Sequence, residues 1–161
     1  MWIGTYTSGV NLYSGSLSNI VNLELGNINT VTVDRQGFWW LGTNDKGILR
    51  YDPRTQEQVV YNRENSGFRS NTMVGSLVAR DGTVWFGTYE GGIIRIKNGQ
   101  VTNIQASNDT TGLQTNNVWT LCEDYWGNIW IGTLGAGVQR IDKHTGKMRT
   151  FRLGNSRLPR S

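Results

Sequence analysis

Seven tryptophans and six tyrosines are the chemical resource of this chain, because flat aromatic faces can stack on the apolar faces of sugar rings. Four of the tryptophans belong to one recurring tetrad, and three lie outside it: Trp39, Trp119 and Trp126. Trp119 fills a slot held by Asn29 and Val74 in equivalent stretches, and Trp126 sits in a turn where Gln36 and Asp81 sit. A tryptophan in a turn has little structural reason to be there. Tyr89 and Lys46 lie in variable loops that follow Thr88 and Thr43. Trp119, Trp126, Trp39, Tyr89 and Lys46 are therefore the candidate ligand-binding residues.

Catalytic chemistry finds less to work with. General acid–base catalysis needs a poised pair, such as a histidine with a carboxylate or two carboxylates across a cleft. The single histidine, His144, stands in the turn Asp142-Lys143-His144-Thr145-Gly146 and reads as exposed. Glu123 and Asp124 are neighbours in a strand and point to opposite faces. Cysteine–histidine metal spacing and a glycine-rich phosphate loop are both missing. No catalytic residue, metal site or cofactor is assigned. The lone Cys122 lies in an apolar strand and reads as a small buried core residue.

The elements that must position these residues come from a repeat. Trp2-Ile3-Gly4-Thr5, Trp40-Leu41-Gly42-Thr43, Trp85-Phe86-Gly87-Thr88 and Trp130-Ile131-Gly132-Thr133 follow one another at intervals of 38, 45 and 45 residues. Glycines recur before the tryptophan (Gly37, Gly82, Gly127) and after it (Gly9, Gly47, Gly92, Gly137). Because Trp2, Trp40, Trp85 and Trp130 recur in register with Gly4, Gly42, Gly87 and Gly132, they read as structural residues, with the glycine admitting a neighbouring sheet and the tryptophan filling the gap beside it. Arg50, Arg95 and Arg140 also recur, and are expected to bind carbonyls or carboxylates between units, with Asp52 and Asp142 as partners.

Each unit reads as four short strands with glycine turns and no helical period. In the last unit the strands are Val118–Glu123, Asn128–Thr133, Val138–Ile141 and Met148–Phe151. A four-stranded antiparallel unit of this length, repeated, predicts an all-β fold of β-propeller blades. Equivalent first strands open at Ile28, Met73 and Val118. The expected organisation is a partial blade of three strands over 1–26 and full blades over 27–71, 72–116 and 117–161. Closed propellers take roughly 4 to 8 blades, so an incomplete ring is expected, completed by further blades of a longer chain or by self-association through open edges.

The net charge is +4, with the basic residues dispersed, which gives nucleic-acid binding no support. No stretch is long and apolar enough to cross a membrane, so no membrane contact is expected of this segment.

The unit from Asn117 through Asp124-Tyr125-Trp126-Gly127-Asn128-Ile129-Trp130-Ile131-Gly132-Thr133 to Gly137-Val138-Gln139-Arg140-Ile141-Asp142 resembles the two-component regulator propeller repeat, as does Ile28 to Asp52. Departures are Ala79 where Asp34 and Asp124 stand, Ser76 for an aliphatic residue, and Leu12 for the arginine. The resemblance implies a periplasmic sensor propeller of a hybrid two-component system, in a parent anchored in the inner membrane. Such a sensor recognises oligosaccharides from complex glycans and signals to a histidine kinase. The alternatives are a fragment of a carbohydrate-active propeller hydrolase or lyase, or a protein-interaction scaffold.

Overall fold

The computed structural model describes residues 27–152 in full and, before them, the backbone of three strands. Those three are β1 (Trp2–Thr5), β2 (Gly9–Leu12) and β3 (Val21–Leu23), which form one antiparallel sheet. The side chain of Trp2 and the surroundings of Gly4 lie outside the described residues. Three four-stranded meanders follow. The first holds β4 (Ile28–Val33), β5 (Trp39–Thr43), β6 (Ile48–Tyr51) and β7 (Gln58–Tyr61). The second holds β8 (Met73–Val78), β9 (Val84–Thr88), β10 (Ile93–Lys97) and β11 (Gln100–Ile104). The third holds β12 (Val118–Glu123), β13 (Ile129–Thr133), β14 (Val138–Ile141) and β15 (Met148–Phe151). Each pairs only with its chain neighbours, all antiparallel, and the described sheets form an open array of propeller blades.

The joints follow from glycine. Gly37, Gly82 and Gly127 close the first hairpin of each blade at φ of 89°, 80° and 89°, a region that disfavours residues with a Cβ. Each donates its N–H to the carbonyl three residues back: Asp34, Ala79 and Asp124. First strands of successive blades lie against one another, β4 on β8 and β8 on β12, which places them innermost and β7, β11 and β15 outermost. Every first strand carries the same bulge, between Ile28 and Thr30, Met73 and Gly75, and Val118 and Thr120.

The tetrad works as a two-sided fastener. Its second residue (Leu41, Phe86 or Ile131) is fully buried, and Phe86 and Ile131 point back at the preceding four-stranded blade. Trp40 and Trp85 point forward into the core shared with the next blade. A Cβ on Gly42 would meet Met73 of the next blade at 2.7 Å, and one on Gly87 would meet the Val118 carbonyl oxygen at 2.6 Å. Strand alternation thus assigns Trp and Gly to one interface and the residue between them to the other.

Three expectations need correction. A single helical turn, α1 (Arg63–Ser66), precedes β8, where no helix was expected. Asn62 and Asn65 cap it reciprocally, and Gly67 ends it at φ of 69°, so local polar chemistry rather than an apolar stripe makes it. Cys122 is exposed, not buried. It pairs in register with Trp130, on the face of the third blade that no described blade covers, while its neighbour Leu121 faces the core. The recurring arginines do not chiefly bind carboxylates. Arg50, Arg95 and Arg140 are cross-strand partners of Trp40, Trp85 and Trp130, and their guanidinium carbons lie 5.7, 5.9 and 6.0 Å from those rings. Arg50 also sits 3.6 Å from the Phe38 ring. Only Arg140 reaches its expected acid, Asp142, at 4.0 Å, whereas Asp52 pairs with Arg54 at 2.9 Å.

Candidate functional site

Two clefts open at opposite ends of the blades. The larger, about 610 Å³, lies between the second and third blades at the end carrying the hairpins 79–82 and 124–127. Arg80 joins those hairpins. Its backbone N–H donates to Glu123 Oε2 at 2.8 Å, its Nε lies 3.3 Å from Glu123 Oε1, and its Nη1 donates to the Tyr125 carbonyl at 2.9 Å. Nη2 donates to the Asp124 carbonyl. The clamp fixes the turn that carries Tyr125 and Trp126, which are 84% and 72% exposed and meet edge to face at 6.0 Å. Repeat logic did not single out Arg80. Its sequence signal is faint, since Arg35 stands at the same place.

Behind this rim are Trp85, Arg95, Lys97 and Lys143, with Asp81, Glu123 and Asp142. Most of the carboxylates are committed. Lys97 Nζ donates to Asp81 at 2.6 Å and Glu123 serves Arg80. Asp124, beside the cleft, accepts from its own hairpin amides, from Asn128 and from the Trp130 indole. Burial works against the charge of Asp124, but these hydrogen bonds prevail and hold its carboxyl at about 2. Burial likewise opposes the charge of Asp81, which Lys97 and Thr83 hold at about 2. Arg54 holds Asp52 at about 2 as well. A general acid needs the opposite displacement.

These shifts set a pH dependence. Carboxylates held below the ordinary 3.8 contribute stability that is complete above that value and is lost as pH falls through the folded pKa. The urea midpoint is expected to be flat from neutrality to about pH 5 and to drop steeply from about pH 4 to pH 2. A midpoint that is level to pH 2 contradicts the assignment.

The smaller cleft, about 520 Å³, lies at the other end, lined by Asn44, Asp45, Arg63, Arg69, Tyr89 and Glu90 among others. The candidate residues are thus divided. Trp126 belongs to the larger cleft and Tyr89 to the smaller. Lys46 is exposed on the loop after β5, its backbone N–H donating to Thr43 Oγ1. Trp119 occupies the bulge of β12, 49% exposed on the innermost strand. Trp39 is 7% exposed and packs on Tyr51 at 5.0 Å. His144 is exposed, its backbone N–H donating to Asp142. Among the described residues no group of His, Cys, Asp or Glu could hold a metal ion, and no helix is long and apolar enough to cross a membrane.

One buried polar side chain escaped the sequence reading. Gln139 is fully buried at a position filled by Leu49 and Ile94 in the other blades. Its Oε1 accepts from the Gln114 backbone at 3.0 Å, and its Nε2 donates to the Gly112 carbonyl and to Thr150 Oγ1. It pins the segment between β11 and β12 onto the third blade.

Residues 112–135 match the family model described as two component regulator propeller. A comparison with curated proteins finds no match. Among solved structures, the extracellular domain of one hybrid two-component system from B. thetaiotaomicron is 24% identical, with a TM-score of 0.68, over 91% of this chain and 21% of that one. A second extracellular domain from that organism is 19% identical, with a TM-score of 0.72, over 92% of this chain and 23% of that one. Virginiamycin B lyase from Staphylococcus aureus is 18% identical, with a TM-score of 0.69, over 89% of this chain and 48% of that one. The chain spans about a fifth of the sensor domains it resembles and about half of the lyase. The matched segment is one copy of that repeat, and the tetrads in one register, the blade architecture and the likeness to these structures show that the chain has a β-propeller fold.

Proposed function

We infer that this chain is part of a ligand-sensing propeller that recognises an oligosaccharide outside the cytoplasm, within a parent that signals as a hybrid two-component system. The observation that carries the reading is the exposed pair Tyr125 and Trp126, held by Arg80 at the mouth of a cleft between two blades. Two rings at right angles offer a sugar one face to stack on and one edge to abut. The fold likeness to extracellular sensor domains supports the location and the signalling role. Propellers of similar fold include a lyase, but the cleft here favours binding over catalysis. Asp81 and Glu123 are both ion-paired, and Asp81 is held low, so Asp81 is not poised as a proton donor at neutral pH.

Calorimetric titration of the chain with a panel of plant and host oligosaccharides tests the reading. Binding by at least one of them, weakened about tenfold or more in Trp126→Ala with the melting temperature unchanged, is expected, because the ring is mostly solvent-exposed. Equal affinity of the variant for every ligand bound overturns it.

A further inference from the structure

The second blade breaks the repeat at one atom. In the first blade Asp34 Oδ2 accepts the Trp40 indole N–H at 2.8 Å, and in the third Asp124 Oδ2 accepts that of Trp130 at 2.9 Å. Six residues before Trp85 stands Ala79, which has no carboxylate to offer. The hairpin is otherwise conserved in geometry: Ala79 N–H donates to the Thr83 carbonyl at 2.8 Å, as Asp34 N–H does to Phe38 and Asp124 N–H to Asn128. Asp81 takes over part of the missing work. Its Oδ1 accepts the Thr83 backbone N–H, but its Oδ2 is engaged by Lys97. The Trp85 indole N–H is left buried with no acceptor among the described residues, on a side chain 7% exposed. A buried donor without an acceptor is costly, and folds seldom leave one.

Other features at the same place favour an anion. Arg95, the cross-strand partner of Trp85, has its Nε buried and unpartnered. Arg140 Nε in the third blade is unpartnered too, so the arginine alone does not distinguish this blade; the indole does. The aromatic residues that stack on Trp40 and Trp130, Tyr61 and Phe151, are replaced in register by Ile104, which leaves Trp85 without a stacked ring among the described residues. Ala79, Trp85 and Arg95 all line the larger cleft, whose rim carries Trp126. Lys143, also in the lining, has no ion-pair partner among the described residues. Its charged lining groups are Arg80, Arg95, Lys97 and Lys143 against Asp81, Glu123 and Asp142, one positive charge in excess.

We propose that the buried end of this cleft, beside Ala79, is a carboxylate subsite that takes the acid group of a uronic-acid sugar whose ring extends toward Tyr125 and Trp126. The ligand's carboxylate supplies in trans what Asp34 and Asp124 supply in cis: an acceptor for the indole N–H, with the guanidinium of Arg95 beside it. The sugar half of the proposal rests on the ligand-binding reading above. The carboxylate half does not.

The test is an NMR titration of the ¹⁵N-labelled chain with glucuronate, with methyl glucoside and with acetate, read at the tryptophan indole N–H signals. Glucuronate is expected to move the Trp85 signal downfield and the Trp126 signal with it, and acetate to move Trp85 alone. Ala79→Asp places the repeat's own carboxylate in the subsite. It is expected to shift the Trp85 signal without ligand, to raise the melting temperature, and to weaken glucuronate binding about tenfold or more. A Trp85 signal indifferent to both acids overturns the subsite, as does an Ala79→Asp variant that binds glucuronate unchanged or melts earlier than the parent. If acetate and glucuronate move Trp85 while Trp126 responds to no sugar, the carboxylate subsite stands and the oligosaccharide reading fails.

Discussion

Phe86→Ala is expected to cost about 3–5 kcal/mol, a loss comparable with the whole stability of a modest domain. The ring is fully buried between the first and second blades, in one cluster with Trp40, Ile48, Met73 and Ile94. Its Cε1 lies 3.2 Å from where a Cβ on Gly42 would be, so the neighbouring backbone is already at its closest approach. The blades have little room to move together and fill the hole, because Gly42 already lies against Met73 of the next blade. Urea denaturation followed by tryptophan fluorescence checks it. A loss under 1 kcal/mol would mean that the two blades do not share this core.

The second large effect runs the other way, through overpacking. Gly87→Ala is expected to destabilise by about 1–3 kcal/mol, although Gly87 sits in an ordinary strand conformation and alanine is a better strand residue in itself. The obstacle is space. The new methyl would lie 2.6 Å from the Val118 carbonyl oxygen and 2.8 Å from Val118 Cγ1, and backbone cannot swing aside. Gly132→Ala is the internal comparison. There the nearest atom is Thr120 Cγ2 at 2.5 Å, in the same sheet and at the tip of a side chain, with backbone no nearer than 4.0 Å. The same denaturation experiment should rank Gly87→Ala well below Gly132→Ala. The reverse order would contradict the packing of the third blade on the second.

Both effects were legible in outline from the tetrads, because a packing rule repeated in register leaves a trace in every copy. Strand limits in the third blade fall within a residue of the sequence reading for the same reason. What repetition does not encode was missed. Gln139 and α1 depend on polar contacts particular to one segment, and Cys122 is exposed because of which face it shares with Trp130. The arginines were located correctly, but only Arg140 meets an expected acid, Asp142, and their aromatic partners were missed, since a sequence shows neither strand register nor the ring that each guanidinium lies over. Of the candidate site, Trp126 was visible as a tryptophan out of place. Ala79 was visible only as a departure. Its consequence, an indole with no acceptor, exists only once β9 is folded back beside the hairpin.

On the proposed reading, function in this array resides where one blade differs from its neighbours, and the cleft between the second and third blades gathers such differences at Ala79, Trp85 and Trp126. A crystal structure of the chain with a bound oligosaccharide tests that most directly. It should show a sugar ring stacked on Trp126 between the hairpins 79–82 and 124–127, with any acid group directed toward the Trp85 indole. A sugar seated instead against Tyr89 and Glu90, at the opposite end of the blades, would contradict it.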